Sequence, residues 1–190
     1  MNKVVLKHKG TEKLETERLI LRKFKEADAL DMFNNWASDS EVTKYLSWSA
    51  HKSVEISKQL IEMWINNYKN MEQYQWAIEL KETGHAIGNI SLLEINNNDE
   101  NCEVGYCIGK AFWNKGIMTE ALLKVIEFGF NEIGFQRIGA RFDVNNLASG
   151  RVMEKCNLIY EGTLRKFIKD NSCNLVDCKY YSILRDEYYK

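Results

Sequence analysis

The sequence predicts an α+β protein: one domain built on a mixed, mostly antiparallel central sheet of six or seven strands, with helices on both faces. Three observations carry this expectation. Hydrophobic spacing switches repeatedly between a period of two and a period near 3.6. The runs within 74–109 alternate with no helix between them, so those strands must be antiparallel neighbours. A helix-length segment, 116–133, then separates two strand-like runs, as a local parallel pair requires.

In order along the chain, "LETERLILRKF" (14–24) places Leu19 and Leu21 on one face and Arg18, Ile20 and Arg22 on the other, as a strand does. Residues 26–37 turn to helical spacing through Ala27, Leu30, Phe33 and Ala37. Asp28 and Asp31 suit the first turns, where the helix dipole favours negative charge. Ser38 to Tyr45 reads as a short second helix, and 52–70 as a longer amphipathic one with Ser53 as candidate cap. "YQWAIEL" and "HAIGNISLLEI" flank a Thr83-Gly84 turn, and "NNNDEN" leads to a third strand, "CEVGYCIG". A helix follows Gly116 and stops at Gly134. "RIGARFDV" is a strand, "NLASGRVMEKC" a short helix, and "LIYEGTLRKFI" and "CKYYSILR" close the chain as two strands around "KDNS".

Composition narrows the function classes. The chain has 190 residues, 45% of them hydrophobic, enough for one compact core. A net charge of −1 gives no field to recruit nucleic acid or an anionic membrane. No apolar run reaches the roughly 20 residues of a membrane helix, and "MNKVVLKHKGTEK" has no apolar stretch suited to a signal peptide. Residues 1–13 read as a flexible N-terminal extension. The spacings of the five cysteines match no zinc pattern, and three isolated histidines suggest no metal site. A reduced, cytoplasmic protein without metal is expected.

The segment "FWNKGIMTEAL" (112–122) runs from a strand end into a helix start through one glycine. Such a helix end offers unpaired N–H groups and partial positive charge, which suit a phosphate. Gly116 permits close backbone approach, and Lys115 adds charge. The turn is neither a Walker A loop nor a dinucleotide fingerprint. Taken alone, it is equally an ordinary helix start with a glycine bend.

The longer run "CEVGYCIGKAFWNKGIMTEAL" resembles the acetyl-CoA signature of the GCN5-related N-acetyltransferases (GNAT), and within them the RimJ/RimL-like enzymes that acetylate protein N-terminal α-amines. "LETERLILRKF", "DVNNLASGRVMEKCNLIYEG" and the element order agree, so the resemblance spans roughly 14–185. It implies a GNAT-like fold whose sheet splays after strand 102–109. It implies acetyl-CoA as cosubstrate, with its diphosphate on the N–H groups of Asn114, Lys115, Gly116, Ile117, Met118 and Thr119. The pantetheine arm would pair with Tyr106, Cys107 and Ile108, and Asn146 and Ser149 would complete the cradle. Met118 stands where a small residue is usual and would narrow the approach to the amides. The tyrosine that serves many relatives as acid falls on Met153, so Ser149, one turn earlier, is the substitute.

Direct amine acetylation needs a neutral amine, a donor for the oxyanion and a departing thiolate. Glu103 shares a strand face with Gly105 and Cys107 and is the candidate general base, the other reading being a solvated strand glutamate. Glu79 on the neighbouring strand is a second acidic candidate, and Trp48 a candidate acceptor contact. Cys107 lacks a histidine partner and is not expected to be a nucleophile. The acceptor is expected to be a peptide or protein N-terminus, including that of a ribosomal protein. The alternatives are a small amine (polyamine, amino acid or aminoglycoside) or a non-catalytic acyl-CoA-binding module. Both monomer and homodimer remain open, the C-terminal tyrosine-rich strands being a possible pairing surface.

Overall fold

A computed structural model describes residues 6–190. Eight strands form one sheet in the order β1-β2-β3-β4-β5-β6-β8-β7. The extra strand comes from the first expected run. A turn closed by Thr16 N–H to Leu19 O at 3.0 Å folds β1 (Leu14–Glu15) back onto β2 (Leu19–Arg22).

Next come α1 (Asp28–Met32), extended by a wide π-type turn over Phe33–Ala37, then α2 (Ser40–Thr43) and α3 (Val54–Asn67). Ser53 occupies the N-cap position of α3 with no side-chain cap bond. The meander β3 (Tyr74–Leu80), β4 (His85–Asn96) and β5 (Asn101–Ile108) is antiparallel, as its alternation predicts. A single 3₁₀ turn, Lys110–Phe112, leads to α4 (Ile117–Phe128), which runs on through a second wide turn to Gly134 at φ 98°. Then follow β6 (Arg137–Asp143), α5 (Leu147–Lys155), β7 (Ile159–Lys169), β8 (Leu175–Leu184) and a terminal turn of helix, α6 (Arg185–Tyr188).

Two cores sit on opposite faces of the sheet. The larger packs Trp76, Ile90, Val104 and Ile138 beneath α4 and α5, with Ala121, Leu122, Val125 and Met153. The smaller packs Ala77 and Ala86 beneath the N-terminal helices, with Met32, Trp36 and Ile61. Alternation along each strand sends successive side chains to the two faces. Val104 and Tyr106 thus belong to the first face, and Cys107 to the second.

The expected frayed extension is corrected for the described part. From residue 6 the chain lies on the domain: Leu6 is buried, Lys7 N–H reaches Ile133 O at 2.8 Å, and Gly10 N–H reaches Met71 O at 2.8 Å. The Thr11 hydroxyl accepts from Gln75 N–H and donates to Gln73 O, both at 2.9 Å. These bonds satisfy the edge of the meander, which alternation alone does not reveal. Residues 1–5 lie outside the described part.

The parallel pair that positions the site is short. β5 meets β6 only across Asn101–Arg137, Cys102–Ile138 and Glu103–Gly139. Beyond Glu103 the two strands part; Val104–Ile108 keep strand neighbours on the β4 side alone, and Trp113 Nε1 donates to Ile108 O at 3.0 Å. This is the splay expected after that strand.

Candidate active site

A cavity of about 530 Å³ occupies the gap where β5 parts from β6. Its walls are Tyr106–Ile108 from β5, the turn and first residues of α4 (112–114 and 116–119), α5 from its cap to Lys155, and Glu41, Val42, Tyr45 and Leu46 from the α2 region.

The floor at the α4 end is made of backbone. Asn114 and Gly116 both adopt positive φ, 60° and 73°. Glycine accepts that conformation without the strain a Cβ brings. No side chain caps α4, and the first bond into the helix is Glu120 N–H to Gly116 O at 3.0 Å. The amides of Ile117, Met118 and Thr119 precede it and so lack intrahelical acceptors, as the start of any helix does. Met118 is only 6% exposed and packs into the main core, so most of the side chain is out of the way of these amides. Lys115 places its ammonium 5.8 Å over the Phe112 ring rather than on the cavity wall.

Glu120 is a carboxylate in the first turn of α4, and the fold neutralises it. Arg18 donates its Nε to Glu120 at 2.7 Å and its backbone N–H at 2.9 Å, and the Thr16 hydroxyl donates at 2.5 Å. The same guanidinium donates to Lys115 O at 3.0 Å. Burial pushes the Glu120 carboxyl up, but these donors outweigh it and hold the group below its ordinary value. Arg18 therefore braces the turn from beneath. Strand alternation placed it on a polar face and gave no hint of this role.

On the α5 side, Asn146 caps the helix, its Oδ1 accepting from Ser149 N–H at 3.3 Å. The Ser149 hydroxyl donates to the Tyr106 hydroxyl at 3.0 Å, and Tyr106 donates to Ser149 O at 3.0 Å. The pair ties β5 to α5 across the mouth of the splay. Burial pushes the Tyr106 phenol up, and its bond to Ser149 only partly opposes this. Met153 is buried in the core, and Asn157 takes the left-handed conformation at φ 62°. Cys107 lines the cavity, and burial pushes its thiol up to about 12, which keeps it a poor nucleophile.

Glu103 is on β5 at the last parallel rung, outside the cavity wall. Arg141 Nη1 meets its Oε2 at 2.6 Å, and the Tyr180 hydroxyl donates to its Oε1 at 3.0 Å. Tyr180 comes from β8 and crosses β6 to reach it. Gly139 makes that crossing possible, since a Cβ there would stand 2.4 Å from the Tyr180 hydroxyl oxygen. Arg141 also stacks 5.4 Å from the Phe167 ring. Neither Arg141 nor Tyr180 is adjacent to Glu103 in sequence, and only the β5-β6-β8 register brings them together.

Two other expected contacts lie elsewhere. Glu79 belongs to a structural cluster of three, held by Arg22 at 2.5 Å, which also grips Asp28 at 2.7 Å. Trp48 packs on the smaller core and lies 5.3 Å from the His51 ring. Neither lines the cavity. The β7-β8 turn is fastened to the α2-α3 segment by Asn171 Nδ2 to Thr43 O at 3.0 Å and Ser49 Oγ to Asn171 O at 3.2 Å.

The acetyltransferase (GNAT) domain family matches residues 18–159. The chain is 33% identical to "Uncharacterized N-acetyltransferase YoaA" of Bacillus subtilis (strain 168), over 90% of this chain and 96% of that one. It is 31% identical to "Putative ribosomal N-acetyltransferase YdaF" of the same strain, over 68% of this chain and 69% of that one. Its fold matches the crystal structure of a GNAT-family acetyltransferase from Bacillus anthracis with a TM-score of 0.81 and 28% identity, covering 93% of this chain and all of that one. The chain belongs to the GNAT acetyltransferase family and is an acyltransferase of that family.

Proposed function

We propose that this GNAT acetyltransferase moves an acetyl group from acetyl-CoA directly to the α-amine of a peptide or protein N-terminus in the cytoplasm, in the manner of RimJ/RimL-like enzymes. The observation that carries the reading is one cavity joining an uncapped helix end to the one-sided edge of β5. Free amides at a helix N-terminus suit a diphosphate, and a strand edge without a partner strand suits the amides of a pantetheine arm, the Ile108 carbonyl being released from Trp113 where the arm needs it. The residues thus fit acetyl-CoA: Asn114–Thr119 at the diphosphate, Tyr106–Ile108 along the arm, and Asn146 between them. The donor supplies the activated acetyl group, and this chain's residues orient the partners and move the proton.

In that reaction a C–N bond forms and a C–S bond breaks, the sulfur leaving with its electron pair. Glu103 takes the amine's proton, through one water because its carboxylate lies off the cavity wall. Arg141 and Tyr180 hold the carboxylate in place for it. Ser149 turns its hydroxyl from Tyr106 toward the departing thiolate.

The peptide acceptor is favoured by the cavity's charge. Glu41 is the one carboxylate among the described lining residues, and Lys110 pairs with it at 3.5 Å. A polyamine or aminoglycoside carries several ammonium groups and calls for more countercharge than that. The relative named as a ribosomal N-acetyltransferase agrees with a protein acceptor.

A thiol-release assay tests the reading with N-terminal peptides, including those of ribosomal proteins, alongside polyamines, amino acids and aminoglycosides. Turnover on peptides is expected. Turnover confined to small amines refutes the acceptor. CoA binding without turnover on any amine converts the protein to a non-catalytic binding module.

A further inference from the structure

The cofactor cavity has a second charged wall. α5 sends Arg151 and Lys155, four residues apart, into the cavity. Side chains at that spacing stand one above the other, with Cβ atoms about 5–6 Å apart. Glu154 between them turns away and accepts from the Tyr181 hydroxyl at 3.1 Å. The other lysines near the cavity are engaged: Lys110 with Glu41 at 3.5 Å, and Lys115 over Phe112. Among the described residues, neither Arg151 nor Lys155 has an acidic partner or a hydrogen-bond acceptor.

Their position relative to the helix end is set by a contact. Cys156 Sγ lies 3.5 Å from Thr119 O, which brings the last turn of α5 against the first turn of α4. Two cations therefore face a row of free amides across one groove. The amides can serve one anionic group. A second cluster of positive charge on the opposite wall has no anion on the protein to answer it.

We propose that Arg151 and Lys155 form a separate phosphate subsite that binds the 3′-phosphate on the ribose of coenzyme A, and so select coenzyme A over 3′-dephospho-coenzyme A. This rests on the acetyl-CoA reading above. A phosphomonoester carries close to two negative charges at neutral pH and presents three acceptor oxygens. A guanidinium fork and an ammonium one turn apart match that group by charge and by donor count. The diphosphate, held by backbone N–H groups, does not need them.

The test is calorimetric binding of coenzyme A and of 3′-dephospho-coenzyme A, with no acceptor and no turnover. The wild-type protein is expected to favour coenzyme A by about tenfold or more, which is about 1.4 kcal/mol. In Arg151→Ala/Lys155→Ala the ratio should fall to near one while 3′-dephospho-coenzyme A binds as before. Arg151→Lys, which keeps the charge, should retain most of the preference. An unchanged ratio in the double variant overturns the proposal. So does an equal loss for both ligands, which assigns the cations to the diphosphate. If the folded wild-type protein binds neither ligand, the cofactor reading itself fails, and the subsite with it.

Discussion

The two sides of β5 are built by different means. Toward α4 and α5, the cradle is mostly backbone from one stretch of chain, 106–119, closed by the Asn146 cap. Toward the Glu103 side, the site is made of side chains from three strands: Glu103 on β5, Arg141 on β6 and Tyr180 on β8. A backbone site tolerates side-chain change: Trp113 and Met118 stand in the turn without disrupting it. A side-chain site depends on sheet register, because a shift of one residue sends each group to the other face. Changes on the backbone side should therefore alter cofactor affinity, and changes on the other side should alter turnover.

The largest expected effect tests that division at its centre. Glu103→Gln should lower kcat on peptides by roughly 100-fold, the low end for loss of a general base, with coenzyme A affinity unchanged. Steady-state thiol release and calorimetry read the two quantities separately. A full-rate Glu103→Gln enzyme removes Glu103 as the base.

Next in size is Gly116→Val, at φ 73° on the backbone side. A β-branched residue is strongly disfavoured in the left-handed region. Coenzyme A affinity should weaken by about tenfold or more, with kcat at saturation little changed, since left-handed geometry costs an L-residue about 1–2 kcal/mol. A fall in kcat with intact affinity breaks the comparison.

Gly139→Ala comes third. Its methyl group would push the Tyr180 hydroxyl off Glu103, leaving Arg141 to hold the carboxylate alone. A fall in kcat of about three- to tenfold is expected, matching Tyr180→Phe; this is less than the roughly 12-fold or more that the full 1.5–3 kcal/mol of a hydrogen bond to a charged group would give, because Arg141 still holds the carboxylate. The double variant should be no worse than either single one, since both remove the same bond. Additive losses mean that Gly139 acts through strand packing instead.

Legibility in the sequence follows the same line. Period-two and period-3.6 patterns identified the meander, α4, the parallel pair and the two closing strands, because burial imposes those periods directly. They merged β1 with β2, since the Thr16–Leu19 turn contains neither glycine nor proline. They missed the docking of residues 6–13, which rests on the Thr11 hydroxyl bonding the Gln73 and Gln75 backbone and on the Lys7 and Gly10 amides rather than on an apolar stripe. The positions of Gly116 at the turn before α4 and of Asn146 and Ser149 at the cap of α5 were readable because turns and caps have local residue preferences. Arg141, Tyr180 and Arg18 were not: each reaches its partner across strands or from strand to helix, and no local pattern encodes that distance. Glu79 and Trp48 were drawn to the site by type alone, while their true partners, Arg22 and His51, lie on the N-terminal helical side.

The smallest expected effect concerns the brace beneath the backbone side. Glu120 is held below its ordinary 4.5 by Thr16 and Arg18 despite its burial. Its folded value is thus lower than its unfolded value, so the unfolded chain binds the proton more readily. The stability it contributes is fully present above 4.5 and disappears as the pH falls through the depressed folded value. The melting temperature of Glu120→Gln should therefore lie below that of the wild-type protein near neutral pH, and the gap should close in acid. Arg18→Met should show the same closing gap, because it removes the cation that depresses Glu120, and it should also weaken coenzyme A binding a few-fold by loosening Lys115 O. A gap independent of pH would assign both residues to packing, and the turn before α4 would then hold its shape through Gly116 and the core alone.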